Sequence, residues 1–192
     1  MRKIIFLVLF FFAFLERTFF DLGPNIELIT PAMLLGLAYL PRKYSLLLVF
    51  FVLSLSDIFI GNSNIYLFTW SGFLIPAFIL PKLVNYKKIK KIISKTVTAF
   101  LSGISANIFF FLWTNFGVWA LDSWGMYSND LGGLTLSYIN ALPFLKMHLT
   151  STLLFVPAGF FIAEIFIKIF NYFTNNKNLH AGLFFVFQKR NR

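Results

Sequence analysis

The side chains able to do chemistry in this sequence are few, and they recur at one depth of successive apolar runs. Asn25 and Thr30 lie at the start of one run, Ser54 and Asp57 share a face of the next, and Thr69, Trp70 and Ser71 sit together in a third. Asn107, Thr114 and Asn115 are separated by two helical turns, which returns all three to one side of a helix. His148, Ser151 and Thr152 open the last run. Polar groups within a bilayer are costly unless they pair or face a cavity. The set therefore has two readings: it lines a pocket, or its members hydrogen-bond one another and hold helices together.

Asp57 either binds a substrate or cation, or is solvated and paired near the surface. His148 is either a ligand or proton carrier, or an interfacial and capping residue. By the one-turn rule Arg17 is expected to pair with Asp21, and Glu164 with Lys168. Trp70, Trp113, Trp119, Trp124, Tyr66, Tyr127 and Tyr138 gather toward the same side as the polar set. They form an interfacial belt or an aromatic wall for a planar ligand.

Several chemistries are excluded. The chain has no G-x-x-x-x-G-K-[ST] nucleotide loop, no H-E-x-x-H and no G-x-S-x-G. It has no cysteine, hence no disulfide, thiolate site or cysteine-linked lipid. Two histidines without cysteine make a transition-metal site unexpected. No acid–base pair is set up for catalysis, so the chain is read as not an enzyme and as needing no cofactor. Active movement of a solute would draw its energy from a partner or an ion gradient.

The elements that must position these residues are apolar throughout. Hydrophobic residues make up 58% of the 192 and charged residues 12%, about half the charge of a soluble domain. The net charge of +10 lies between the apolar runs rather than on one face, so it indicates membrane flanks and not nucleic acid. Phe, Ile, Lys and Asn are abundant together, a pattern of coding composition, and the 28 phenylalanines carry no functional weight.

Met1-Arg2-Lys3 and the run that follows resemble a signal peptide, but no small-residue cleavage pattern appears after Leu15, so an uncleaved first span is expected. The spans are expected at about 4–20, 26–40, 45–60, 65–80, 96–120 and 148–170, with 26–40 short for a crossing. Gly61-Asn62-Ser63-Asn64 reads as a turn. The stretch 134–147, interrupted by Asn140, Pro143 and Lys146, is expected as a short outer or re-entrant helix. Backbone groups in lipid must be satisfied internally, so the spans are helices.

The expected architecture is thus an all-α integral membrane bundle of six helices over residues 1–171, followed by a basic cytoplasmic tail over 172–192. With both termini cytoplasmic, every one of the 17 basic residues except Arg17 and Lys146 falls inside. A seventh crossing at 134–147 would place the basic tail outside. Small residues one turn apart, at Ala32 and Gly36, Ala99 and Gly103, Ser102 and Ala106, and Gly159 and Ala163, predict close helix approach.

Four segments recur together in one group of proteins. They are Pro24-Asn25-Ile26-Glu27 leading to Thr30-Pro31-Ala32; Ser56-Asp57 to Gly61; Thr114-Asn115-Phe116-Gly117-Val118-Trp119; and Ala141-Leu142-Pro143-Phe144 before the last helix. Nearly the whole chain resembles an uncharacterised bacterial membrane family of unknown function, similar to the substrate-binding (S) components of energy-coupling factor transporters. That resemblance implies a bacterial plasma-membrane protein with an outward-facing pocket for a vitamin or metal-ion nutrient. Transport would need a separate membrane coupling subunit and cytoplasmic ATPases. It implies that Asn25, Asp57, Thr114, Asn115 and Trp119 touch the ligand, and the polar pattern adds Asn107 and His148. The alternative is a structural or assembly membrane protein without a solute.

Overall fold

The computed structural model describes residues 1–190 except 21, 24, 62, 63, 123 and 124, and only the backbone of 175–190. The expected readings at Asp21, Pro24, Trp124 and the centre of the Gly61–Asn64 turn, and those on the side chains of the tail, lie outside the described residues. Six α-helices follow in order: α1 (Arg2–Thr18), α2 (Ile29–Tyr39), α3 (Arg42–Ile60), α4 (Tyr66–Leu83), α5 (Ile92–Leu121) and α6 (Leu131–Arg190). A short 3-10 turn, Tyr86–Lys88, precedes α5, and no strand occurs among the described residues.

α3, α4, α5 and the Leu131–Thr174 part of α6 are long and apolar enough to cross a membrane. The exposed faces of the helices are apolar, with Phe12, Ile58, Leu67, Ile93 and Phe161 all largely uncovered. An apolar outer surface on apolar helices is what a protein solvated by lipid requires. Four helices of this length and apolarity are compatible with a membrane location.

The second element differs from a crossing helix. α2 has 11 residues, about 16 Å at 1.5 Å each, half of a hydrocarbon core. Ten of those residues, Ile29 to Ala38, are buried. A helix apolar on every side must be covered on every side, and α2 contacts all five other helices. Around it α1, α3, α4, α5 and α6 follow one another in an arc. The expected span 26–40 is therefore a central plug. Its first residues, 26 to 28, precede the helix proper.

The small residues behave as expected. A Cβ on Gly103 would lie 2.7 Å from Thr152 Cγ2 and 3.1 Å from Leu34 Cδ1, and one on Gly159 would lie 2.8 Å from Leu35 Cδ1. Hydrogen at these positions lets α2, α5 and α6 approach closely.

The stretch 134–147 is not a separate helix. It forms the first turns of α6, which continues unbroken through Pro143 and Pro157. Proline removes one backbone donor, and neighbouring helices compensate in a membrane. Here α6 runs antiparallel along α5: Ser137 Oγ donates to the Asn115 carbonyl at 3.4 Å, and the Tyr138 hydroxyl to the Leu112 carbonyl at 3.1 Å. The expected break between 147 and 148 is absent. The helix itself runs on past residue 171 to Arg190.

The bundle has two chemically different ends. The starts of α1, α3 and α5 and the end of α4 bring Arg2, Lys3, Arg42, Lys43, Lys82 and the loop lysines to one end. There Glu164 accepts from the Tyr39 hydroxyl at 2.8 Å and from Lys95 Nζ at 3.4 Å. This replaces the expected Glu164–Lys168 pair as the contact that organises the basic end. The end of α1, the start of α2 and the end of α3 gather at the opposite end.

Candidate functional site

Since α2 fills only about half the length of the arc, the remainder of the axis is empty. A cavity of about 550 Å³ lies there, at the end opposite the lysines. Its floor is the start of α2, where a helix leaves backbone N–H groups without intrahelical partners. Two carboxylates take two of the amides there. Glu27 Oε2 accepts from the Thr30 amide at 2.8 Å, and Glu16 Oε2 from the Leu28 amide at 3.1 Å. Pro31 has no N–H to satisfy, and the Ala32 amide returns to the Leu28 carbonyl. Negative side chains at a helix N-terminus also meet its positive dipole end.

Glu27, just before α2, is fixed from α6. The Ser151 hydroxyl accepts from the Glu27 amide at 3.2 Å and donates to the Glu27 carbonyl. Asn107 then ties three helices. Its Nδ2 donates to the His148 carbonyl at 2.9 Å and to Thr152 Oγ1 at 2.8 Å, while its Oδ1 accepts from Thr30 Oγ1 at 3.3 Å. His148 stacks on Phe110 with ring centroids 5.1 Å apart and is 7% exposed. It sits inside α6 and not at a helix start, so the interfacial capping role does not apply.

Two atoms in this buried set have no hydrogen-bond partner: Glu27 Oε1 and His148 Nδ1. Both residues line the cavity. A buried polar atom without a partner costs about 1–3 kcal/mol, so these are the places where a bound molecule would gain most. Apolar walls come from Phe73, Phe110, Phe111 and Phe144, and exposed Asn25 lies at the mouth with a left-handed φ of 59°.

Five of the seven residues expected at a site line this cavity: Asn25, Asn107, Thr114, Asn115 and His148. Their roles differ. Asn107 spends both amide hydrogens on protein groups, Thr114 donates to the Phe110 carbonyl, and Asn115 Nδ2 donates to the Phe111 carbonyl. Asp57 and Trp119 do not line it. Asp57 is 7% exposed and fully engaged: Oδ1 accepts from Arg17 Nη2 at 2.8 Å and Oδ2 from Trp70 Nε1 at 2.6 Å. Arg17 Nε adds a bond to Ser56 Oγ at 2.8 Å. Among the described residues the Arg17 partner is thus on α3, forty residues away. Trp119 Nε1 donates to the Ser128 carbonyl at 3.0 Å, and its ring stands beside Phe116 in an aromatic cluster with Trp113 and Phe68.

Glu16 and Glu27 were not among the expected site residues. Both flank the polar segment between the first two apolar runs, where an acidic residue reads as an interfacial flank. Only the burial of α2 brings them inward. The signal available was Glu27 three residues before Thr30-Pro31, an acidic residue placed to cap a helix.

Residues 1–174 match the model of a family of unknown function (DUF6580). No curated protein and no solved structure matches the chain.

Proposed function

The chain belongs to that family of unknown function, and from its site we propose that it is a solute-binding membrane subunit. It captures a small organic nutrient in the cavity above α2, at the outward-facing end of the bundle. The observation that carries this reading is a cavity of about 550 Å³ lined by Glu27 and His148, each of which has a buried polar atom without a partner. Pockets of this size, apolar with a few convergent polar groups, suit small ligands. The basic end faces the cytoplasm by the distribution of lysines, which makes the cavity outward-facing in a bacterial plasma membrane with both termini inside.

An organic ligand is favoured over a bare metal ion. Among the described residues no group of three or more His, Cys, Asp or Glu is gathered as a metal would need. Release of the solute to the cytoplasm would fall to a partner, such as an energy-coupling membrane subunit with its ATPases, because the chain carries no nucleotide loop.

The test is to purify the full chain in mild detergent, denature it and analyse the released small molecules by mass spectrometry, beside a thermal-shift screen of nutrients. A retained or stabilising solute is expected, with its uptake reduced when the gene is deleted. An empty extract, a flat screen and unchanged uptake would leave the second reading, a structural membrane protein without a solute. The saturated bonding of Asn107 between three helices is the observation on that side.

A further inference from the structure

The chemistry of the cavity floor narrows the class of molecule. A helix N-terminus ordinarily invites an anion. Here the protein has already placed its own: Glu27 and Glu16 hold the amides of Thr30 and Leu28. A further anion would meet these two carboxylates at the helix start. The remaining cation on the cavity lining, Arg17, is bound to Asp57 on its far side, so its charge is balanced away from the floor.

What the floor lacks is a donor. Glu27, 8% exposed, leaves Oε1 without one, and His148 leaves Nδ1 without a partner. A carboxylate oxygen accepts only, and Nδ1 does the same in the tautomer that carries its proton on Nε2. Around them stand the rings of Phe73, Phe110, Phe111 and Phe144. Aromatic faces attract cations and cover apolar surface. A bare divalent ion lacks the ligands it would require, as argued above.

Resting on the solute-binding reading, we infer that this cavity selects a primary ammonium ion carried on an aromatic or similarly apolar body. The –NH₃⁺ group has three donors and no acceptor. One donor reaches Glu27 Oε1 and a second meets His148 Nδ1, while the body lies among the phenylalanines. Because the floor asks for N–H donors as well as charge, a quaternary ammonium of the same size binds less well. That separates this site from a purely aromatic cage, which prefers the quaternary ion.

The experiment is calorimetric titration of the purified full chain in lipid nanodiscs with phenethylammonium, tryptammonium and phenethyltrimethylammonium. The neutral 2-phenylethanol, anionic 3-phenylpropionate and Mn²⁺ alone complete the panel. A primary ammonium is expected to bind at least tenfold more tightly than the alcohol and than its trimethyl analogue. Glu27→Gln is expected to remove that preference while leaving the alcohol's binding unchanged. Asp130→Asn, far from the cavity, should alter neither. The comparison among ligands on the unaltered chain stands even if Glu27→Gln fails to fold.

Equal or tighter binding of the alcohol or carboxylate would overturn the ammonium inference and leave the solute-binding reading intact. So would tighter binding of the trimethyl ion, a Glu27-dependent response to Mn²⁺, or undiminished ammonium binding by Glu27→Gln. A panel in which nothing of any charge binds would overturn both.

Discussion

The two ends of the bundle each hold a buried or half-buried ion pair, and the pairs are built to different standards. At the cavity end, Arg17 and Asp57 meet at 2.8 Å with side chains 21% and 7% exposed, and Ser56 and Trp70 occupy further positions on both. At the basic end, Lys95 and Glu164 lie 3.4 Å apart with Glu164 27% exposed. Glu164 there keeps the Tyr39 hydroxyl at 2.8 Å whatever Lys95 does. The first pair locks α1 to α3 across forty residues of sequence. The second adds a charge to a contact that is already made. The lesson is that an ion pair matters to a fold in proportion to what is stranded when it is lost.

This difference can be broken open by mutation. Arg17→Met strands the Asp57 carboxylate at a nearly buried position. A fully buried pair loses about 3–5 kcal/mol on removal of one partner, and an exposed one about 0–1. With Arg17 one-fifth exposed, about 2–3 kcal/mol is expected. It would be read as a fall in the thermal midpoint in detergent. Adding Asp57→Asn should restore part of the loss, since asparagine still accepts from Trp70 without a stranded charge. A double variant no more stable than the single one would show that lost packing, not charge, is the cause.

Lys95→Met tests the other end. A loss of no more than about 1 kcal/mol is expected, and one diminished further by salt. A loss as large as that of Arg17→Met would erase the distinction between the ends.

The smallest effect concerns the start of α6. Asp130 caps it: Oδ1 accepts from the Gly133 amide at 2.7 Å and from Ser128 Oγ at 2.8 Å. The Gly133 amide above all, with the Ser128 hydroxyl, holds this carboxyl below its ordinary value. A carboxyl depressed on folding contributes stability that is present above its ordinary pKa and lost as pH falls through the depressed one. Acidification should therefore fray the first turn of α6 while the bundle persists. Faster amide exchange at residues 131–134 at low pH, abolished as a pH effect in Asp130→Ala, is the expected result.

Much of the helical architecture was legible as composition and spacing. Apolar runs of sufficient length mark α3, α4 and α5 within a few residues, because lipid demands both the apolar surface and the satisfied backbone. The small residues at Gly103 and Gly159 announced close contacts that do occur. The polar pattern found Asn107, Thr114, Asn115 and His148 on one cavity. It left Asp57 open between a ligand contact and a paired acid, because its partner Arg17 is distant in sequence. It divided α6 at Pro143 and Lys146, where packing along α5 carries the helix through.

The sequence by itself determined that this chain is helical, has runs apolar enough to cross a membrane and carries its positive charge in the segments between them. Each of these follows from local hydrophobicity and backbone hydrogen bonding, which need no knowledge of neighbours. Only the tertiary structure decided that α2 is a half-length plug, that Glu16 and Glu27 turn inward to cap it, and that a cavity opens above. Those depend on five helices closing around one too short to fill them, a property of the assembled bundle rather than of any segment.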